Sequence, residues 1–203
     1  PNTTKVYQLT TTNPGGVIGV QPTGEYPAGT DITDQLINPT SAVQAVTYRF
    51  KARIRDDRPG HSGSFCDQGG DTLIVIYVEP TARVTGTISN DTICNINSIT
   101  YTLYTPNSPL FGIRFNVNIV NPYPEITGYS NRFNLTVSSV ITETLTNSGD
   151  IARMIMYIIT PATINNLGIQ NCPGVSDTLF LWINPTPRAT PDNLVPEMCF
   201  GQS

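Results

Sequence analysis

Apolar and polar positions alternate along much of the chain with the period of two expected of a half-buried strand. Phe115, Val117 and Ile119 alternate with Asn116 and Asn118, and Phe133, Leu135 and Val137 alternate with Asn134, Thr136 and Ser138. Ala45 to Ile54, Thr100 to Tyr104 and Met154 to Ile159 read as further strands. Leu73 to Val78 and Leu179 to Ile183 are apolar on both faces, which suits central or sandwich-facing strands. Turn signals separate these runs: Asn13-Pro14-Gly15-Gly16, Arg58-Pro59-Gly60, Gln68-Gly69-Gly70, Asn121-Pro122 and Asn147-Ser148-Gly149. Asp31 to Ile37 and Ile141 to Leu145 fit either one helical turn or a short strand, and we read them as turn-like or edge segments.

The pattern repeats. Asp71-Thr72-Leu73 returns as Asp177-Thr178-Leu179, and Pro80-Thr81 returns as Pro185-Thr186. Ile32-Thr33-Asp34 returns as Ile141-Thr142-Glu143, Tyr48 as Tyr157, Cys66 as Cys172, and Cys94 as Cys199. The offsets run from 105 to 109 residues. Before Ile32 the match is looser. Tyr7-Gln8-Leu9 resembles Tyr101-Thr102-Leu103 at an offset of 94, which predicts an insertion around Tyr123 to Arg132 in the second copy. On that alignment the first copy's opening cysteine falls just ahead of Pro1. The expected organisation is a first repeat over 1–83 with its opening strand missing, a complete second repeat over 84–189, and the start of a third over 190–203. About seven strands per repeat, closed by turns, predict an all-β protein of tandem immunoglobulin-like β-sandwiches. Pro80 and Pro185 should end the last strand of each copy, making Glu79-Pro80-Thr81 and Asn184-Pro185-Thr186-Pro187 short stiff linkers.

Composition narrows the function. Charged residues make up 13% of the 203, against about 25% in ordinary soluble domains. Thr (28) and Asn (18) fill much of the polar surface, and they favour strands and turns over helices. A net charge of −4 with only Lys5 and Lys51 as lysines leaves no basic surface for phosphate backbones, so no nucleic acid partner is expected. No apolar run reaches 18 residues, so no membrane-spanning helix is expected.

Candidate chemistry is sparse. The single histidine, His61, lies in a polar glycine-rich loop and has no counterpart in the second copy, so we read it as a solvated loop residue and the chain as a non-enzyme with no cofactor. Asp56, Asp57 and Asp67 could in principle form a carboxylate pair for glycoside chemistry, but they neighbour Arg53, Arg55 and Arg58, which points to a mixed-charge loop. With Asp31 and Asp34 they form the one calcium candidate, although no D-x-D-x-D-G loop occurs. Four cysteines in a Thr/Asn-rich β protein fit an oxidising, extracellular setting, and a zinc site is not expected. Two pairings respect the repeat. One joins Cys66 to Cys94 and Cys172 to Cys199. The other closes the second repeat with Cys94–Cys172 and leaves Cys66 and Cys199 to partners outside the chain. The second is preferred because domains are usually closed units, and four free buried thiols are the remaining alternative.

A β run ending in Asn184-Pro185-Thr186-Pro187, with a cysteine ahead of it and Ile93-Cys94 or Met198-Cys199 opening the next unit, resembles the PKD-like repeats of giant Bacteroidota surface adhesins. The first copy departs from this linker with Val78-Glu79-Pro80-Thr81-Ala82. The resemblance implies a repeat segment of a secreted cell-surface adhesin or filament, a disulfide-stabilised stalk used in adhesion or gliding motility. It further implies export by the type IX secretion system. Expected partners are neighbouring repeats of the same polypeptide, surface polysaccharide or substratum, and the secretion and gliding machinery. Asp71-Thr72-Leu73, Asp91-Thr92-Ile93 and Asp177-Thr178-Leu179 resemble the O-glycosylation sequon of such exported proteins, making Thr72, Thr92 and Thr178 candidates. The alternative is a carbohydrate-binding or spacer module of a secreted polysaccharide-degrading enzyme, with Tyr101, Tyr104, Tyr123 and Tyr129 as a sugar platform.

Overall fold

The computed structural model describes residues 2–61, 63–88 and 90–190. Among these residues every regular element is a strand. The expected third repeat, with Cys199, lies almost wholly outside the described residues.

Five strands form the first unit: β1 (Thr3–Thr12), β2 (Gly24–Pro27), β3 (Gln44–Asp56), β4 (Phe65–Cys66) and β5 (Asp71–Val78). They make one antiparallel sheet in the order β2-β1-β3, with β5 and β4 paired one after the other along the far edge of the long β3. The inner face carries Leu9, Val46 and Tyr48, which are buried beneath an irregular stretch that includes Val17, Ile32 and Leu36. Ile18 and Ile37 hold that stretch together through a single bridge.

The second unit has ten strands: β6 (Thr85–Ile88), β7 (Thr92–Ile93), β8 (Asn97–Tyr104), β9 (Ile113–Val120), β10 (Ile126–Thr127), β11 (Arg132–Leu135), β12 (Val140–Asn147), β13 (Arg153–Ile164), β14 (Gln170–Pro173) and β15 (Asp177–Ile183). They build two sheets, ordered β10-β12-β8-β6 and β11-β9-β13-β15-β7, with β14 on β13. Ile99, Tyr101, Leu103, Ile141 and Leu145 from one sheet meet Phe115, Val117, Ile155, Tyr157, Ile159 and Leu181 from the other, all but excluded from water. This is an immunoglobulin-like β-sandwich, the fold class expected, with ten strands in place of about seven, two of which (β7 and β10) are only two residues long.

The strand pairings correct the internal alignment. β1 pairs with β3 as β9 pairs with β13: Leu9 faces Phe50, and Val117 faces Ile159. Tyr7-Gln8-Leu9 therefore corresponds to Phe115-Asn116-Val117, 108 residues on, and Asn13-Pro14 to Asn121-Pro122. The offset of 94 to Tyr101 was a coincidence of short motifs. The offset changes by a single residue between Asn13/Asn121 and Ile32/Ile141, so no long insertion separates the copies around Tyr123 to Arg132. Among the described residues the first unit has no equivalent of β6, β7 and β8.

One sequence motif accordingly folds two ways. Val140–Asn147 is a full strand because β8 pairs along it. Its counterpart, residues 31–38, has no such neighbour and stays irregular except for the bridge at Ile37. β5 differs from β15 for the same reason. β15 lies between β13 and the parallel β7, whereas β5 is an edge strand and not the central strand expected from its apolar pattern. Phe133 and Val137 are exposed, and β11 ends at Leu135, so the predicted alternation there holds no buried strand beyond it.

The units meet at a built junction rather than a bare linker. Pro80, Ala82 and Val84 are buried. Ser108 N–H donates to the Ser41 carbonyl at 2.8 Å, and Val43 N–H donates to the Ser108 carbonyl at 3.0 Å. Leu110 N–H donates to Glu79, Arg83 N–H to Asn107 Oδ1, and Val175 N–H to the Ala82 carbonyl.

Candidate functional site

A carboxylate bonded to a tyrosine hydroxyl repeats in both units at one offset, buried in the second and half-buried in the first. In the second, Glu143 on β12 is 4% exposed and accepts from the Tyr157 hydroxyl (2.8 Å) and from Ser130 N–H (3.1 Å). Arg132 approaches it to 3.8 Å. In the first, Asp34 accepts from the Tyr48 hydroxyl and from Gln21 N–H. Burial, followed by the neighbouring carboxylate, pushes the Tyr157 phenol well above its ordinary value. Tyr48 is raised for the same reasons. A phenol held protonated keeps its O–H to donate to the carboxylate, so each tyrosine ties the segment carrying that carboxylate to the sheet it faces. The adjacent asparagine completes the tie. Asn147 Nδ2 donates to the carbonyls of Ile151 and Ile183, and Asn38 Nδ2 to those of Ala42 and Val78. Gly19 and Gly128 share positive φ (85° and 94°) and lie so close to the backbone of Gln35 and Thr144 that a Cβ would collide with it. These ties hold segments in place.

The second notable surface is the inner face beside β5. Tyr48 and Phe50 of β3, Ile74 and Ile76 of β5, and Ile32 and Leu36 of the irregular stretch line a groove of about 240 Å³. Ile74 and Ile76 are 46% and 40% exposed. In the second unit the equivalent space is filled by Ile99, Tyr101 and Leu103 of β8, and the rings of Tyr101 and Tyr157 meet edge-on at 5.3 Å.

The expected Cys94–Cys172 disulfide does not fit this fold. Both residues are exposed free thiols, as is Cys66. Cys94 follows Ile93, which is level with Ile183 and hence with Arg153 at one end of β13. Cys172 precedes Pro173, which pairs with Ala162 near the other end. Nine residues of strand put them about 30 Å apart, whereas a disulfide needs Cα atoms within about 7 Å. The alternative of Cys66 with Cys94 is no better, because Cys66 sits at the end of the first unit away from the junction, opposite Ile54. Four buried thiols are likewise ruled out by the exposure of these three; Cys199 lies outside the described residues.

The aspartates proposed for calcium or glycoside chemistry are dispersed into ion pairs. Arg58 holds Asp56, Arg55 holds Asp57, and Arg53 with Lys51 holds Asp67. The Arg58 hydrogen bonds pull Asp56 down to about 2, and Thr4 and Arg55 lower Asp57. Asp31 is exposed, and Asp34 is engaged by Tyr48. Among the described residues no three potential metal ligands converge. His61 is an exposed loop residue 3.8 Å from Asp56.

The tyrosine platform does not assemble. Tyr101 is in the core, Tyr123 and Tyr129 pack against it, and Arg153 covers the Tyr123 ring at 4.5 Å; Tyr104 alone of the four is exposed. Thr72 and Thr92 are exposed, while Thr178 is half-buried. Sequence reasoning missed the carboxylate–tyrosine tie, although its signal was present: Asp34/Glu143 and Tyr48/Tyr157 keep one offset.

No curated protein matches this sequence. The crystal structure of the S-layer protein SbsC, domains 4 and 5, is similar at 13% identity with a TM-score of 0.30, covering 88% of this chain and 70% of that one. Residues 91–187, the body of the complete sandwich, match the model of the PKD-like domain family.

Proposed function

We infer that this chain is a structural repeat segment of a large secreted cell-surface protein, a stalk of the adhesin or filament kind. The junction carries this reading. Two units of one design are joined end to end by backbone hydrogen bonds from Ser108 to Ser41 and from Val43 to Ser108, and by Leu110 N–H on Glu79, so that each unit adds its own core to a linear array. The PKD-like match of the second unit supports it. Work in adhesion or gliding, export by the type IX system, and glycans on Thr72, Thr92 and Thr178 belong to the same proposal. Thr72 and Thr92 are exposed enough to be modified without unfolding.

The test is surface labelling of intact source cells with an antibody raised against this chain. Labelling of unpermeabilised cells is expected; signal that appears only after permeabilisation overturns the proposal. Intact-mass measurement of native material tests the glycans separately, as a bare polypeptide mass would exclude them.

A further inference from the structure

We propose that the open inner face of the first unit is a docking site for a β-segment of the kind formed by residues 84–104, joined ahead of Asn2 and running into β1. It rests on the repeat reading above only in taking both units to share one design.

Three observations specify this occupant. The first is the shape of the gap. Ile32, Asp34, Leu36 and Tyr48 correspond to Ile141, Glu143, Leu145 and Tyr157, and cross-strand register places Ile74 and Ile76 where Leu179 and Leu181 stand, one residue away from the Leu73–Leu179 sequence match. In the second unit that set is covered by Ile99, Tyr101 and Leu103. In the first it lines a groove. The second is unpaired backbone. Residues 31–36 lack the ladder partner that β8 gives to β12, and β5 lacks the neighbour that β7 gives to β15. Open edges of this kind are templates for strand addition. The third is direction. β8 ends and β9 begins at the same end of the second unit, since Tyr104 pairs with Thr85 and Ile113 with Thr163. β1 begins at the matching end of the first unit, where Thr3 pairs with Asp56. A segment joined ahead of Asn2 therefore needs only a short turn to lie in the groove. A second copy of the chain is a poorer donor, because its own residues 84–104 are already built into its second unit.

The docked segment also gives Cys172 a partner. Cys172 lines a groove of about 370 Å³ at the junction together with Ile76, Tyr77, Val78 and Ala82. Tyr77 and Val78 correspond to Trp182 and Ile183, the residues beside which Thr92 and Ile93 lie immediately before Cys94. A β7-like strand on β5 thus carries its cysteine to the Val78 end of β5, next to Cys172. The resulting disulfide would join consecutive units, instead of closing one. Two thiols give up two electrons and two protons to a small disulfide such as oxidised glutathione, which leaves as two thiols.

The experiment adds a second copy of residues 84–109 directly ahead of Asn2. Backbone amides of Leu73 to Tyr77 should then exchange at least about tenfold more slowly than in the original chain. With oxidised glutathione, peptide mapping should find the added cysteine bonded to Cys172. An extension with Asp in place of the added equivalents of Ile99, Tyr101 and Leu103 should give neither result, while the second unit keeps its own protection. Unchanged exchange in β5 with the unaltered extension overturns the docking. A bond from the added cysteine to Cys66 overturns the register. A dimer of the original chain that protects the same amides, and that the extension does not dissociate, assigns the face to a second copy instead. The readouts are made on purified protein, so they stand or fall independently of where the protein resides in the cell.

Discussion

In the second unit Leu181 is wholly buried between two sheets, whereas its counterpart Ile76 in the first is 40% exposed on a single sheet. The residue types hardly differ, and both strands pair with an equivalent long partner, β3 or β13. The difference comes from β6, β7 and β8, which are far away in sequence from β15. Burial in a sandwich is thus a property of the pair of sheets, and a strand's own apolar pattern states only its capacity for it.

The largest expected effect that tests this contrast is truncation of the matched pair. Leu181→Ala should destabilise the second unit by about 2–5 kcal/mol, as for other fully buried leucines, and Ile76→Ala should cost the first about 1 kcal/mol or less. Chemical denaturation followed by Trp182 fluorescence reads the former, and hydrogen exchange within β3 the latter. Equal losses would mean that the first unit's inner face is better covered than its exposure indicates.

Removing the phenol from the repeated tie comes next. Tyr157→Phe leaves Glu143 buried without its donor and should cost about 1.5–3 kcal/mol. Tyr48→Phe should cost less, about 1 kcal/mol, because Asp34 is half-buried and water can replace the hydroxyl. Asn147→Ala and Asn38→Ala make the opposite prediction. Both asparagines are buried, at 1% and 6%, and both bridge two carbonyls, so losses of about 1–3 kcal/mol should be similar in the two units.

The smallest effect is set by pH. Asp56 lies below its ordinary 3.8, at about 2, and Asp57 is lowered by Thr4 and Arg55 and Asp67 by Arg53 and Lys51. A depressed carboxylate binds its proton more weakly when folded, so its stabilisation is present above about pH 4 and is lost as pH falls towards 2. Acid should therefore loosen the Asp56–Asp67 hairpin of the first unit slightly, with no counterpart in the second, where residues 165–170 carry no charge. Added salt should reduce that effect, because these pairs are exposed. Amide exchange at Asp56 and Ser64 against pH measures it.

Much of this was legible in the sequence. Tyr48/Tyr157, Asp34/Glu143 and the Pro80/Pro185 strand ends marked the repeat, and the apolar runs identified β9 and the bodies of β3 and β13, whereas Ile141 to Leu145, read as turn-like or edge, is the paired strand β12. Two things were not. The Tyr7-Gln8-Leu9 match to Tyr101-Thr102-Leu103 was misleading because inner-facing strand positions everywhere favour the same few apolar residues, and only cross-strand pairing distinguishes them. Cysteine spacing also failed, because a repeat period relates equivalent positions in different units and says nothing of which end of a unit each occupies. Once Cys94 and Cys172 are placed at opposite ends of β13, a bond within the unit is geometrically excluded.

The direction of β15 has a mechanical consequence. The chain enters the second unit at the Arg83 end, beside Val175, and leaves it past Ile183 at the other end. A pull along the molecule therefore acts parallel to β15. The hydrogen bonds from β15 to β13 lie perpendicular to that pull. They are loaded in shear and must yield together, whereas a hairpin pulled open from one end would lose its bonds one at a time.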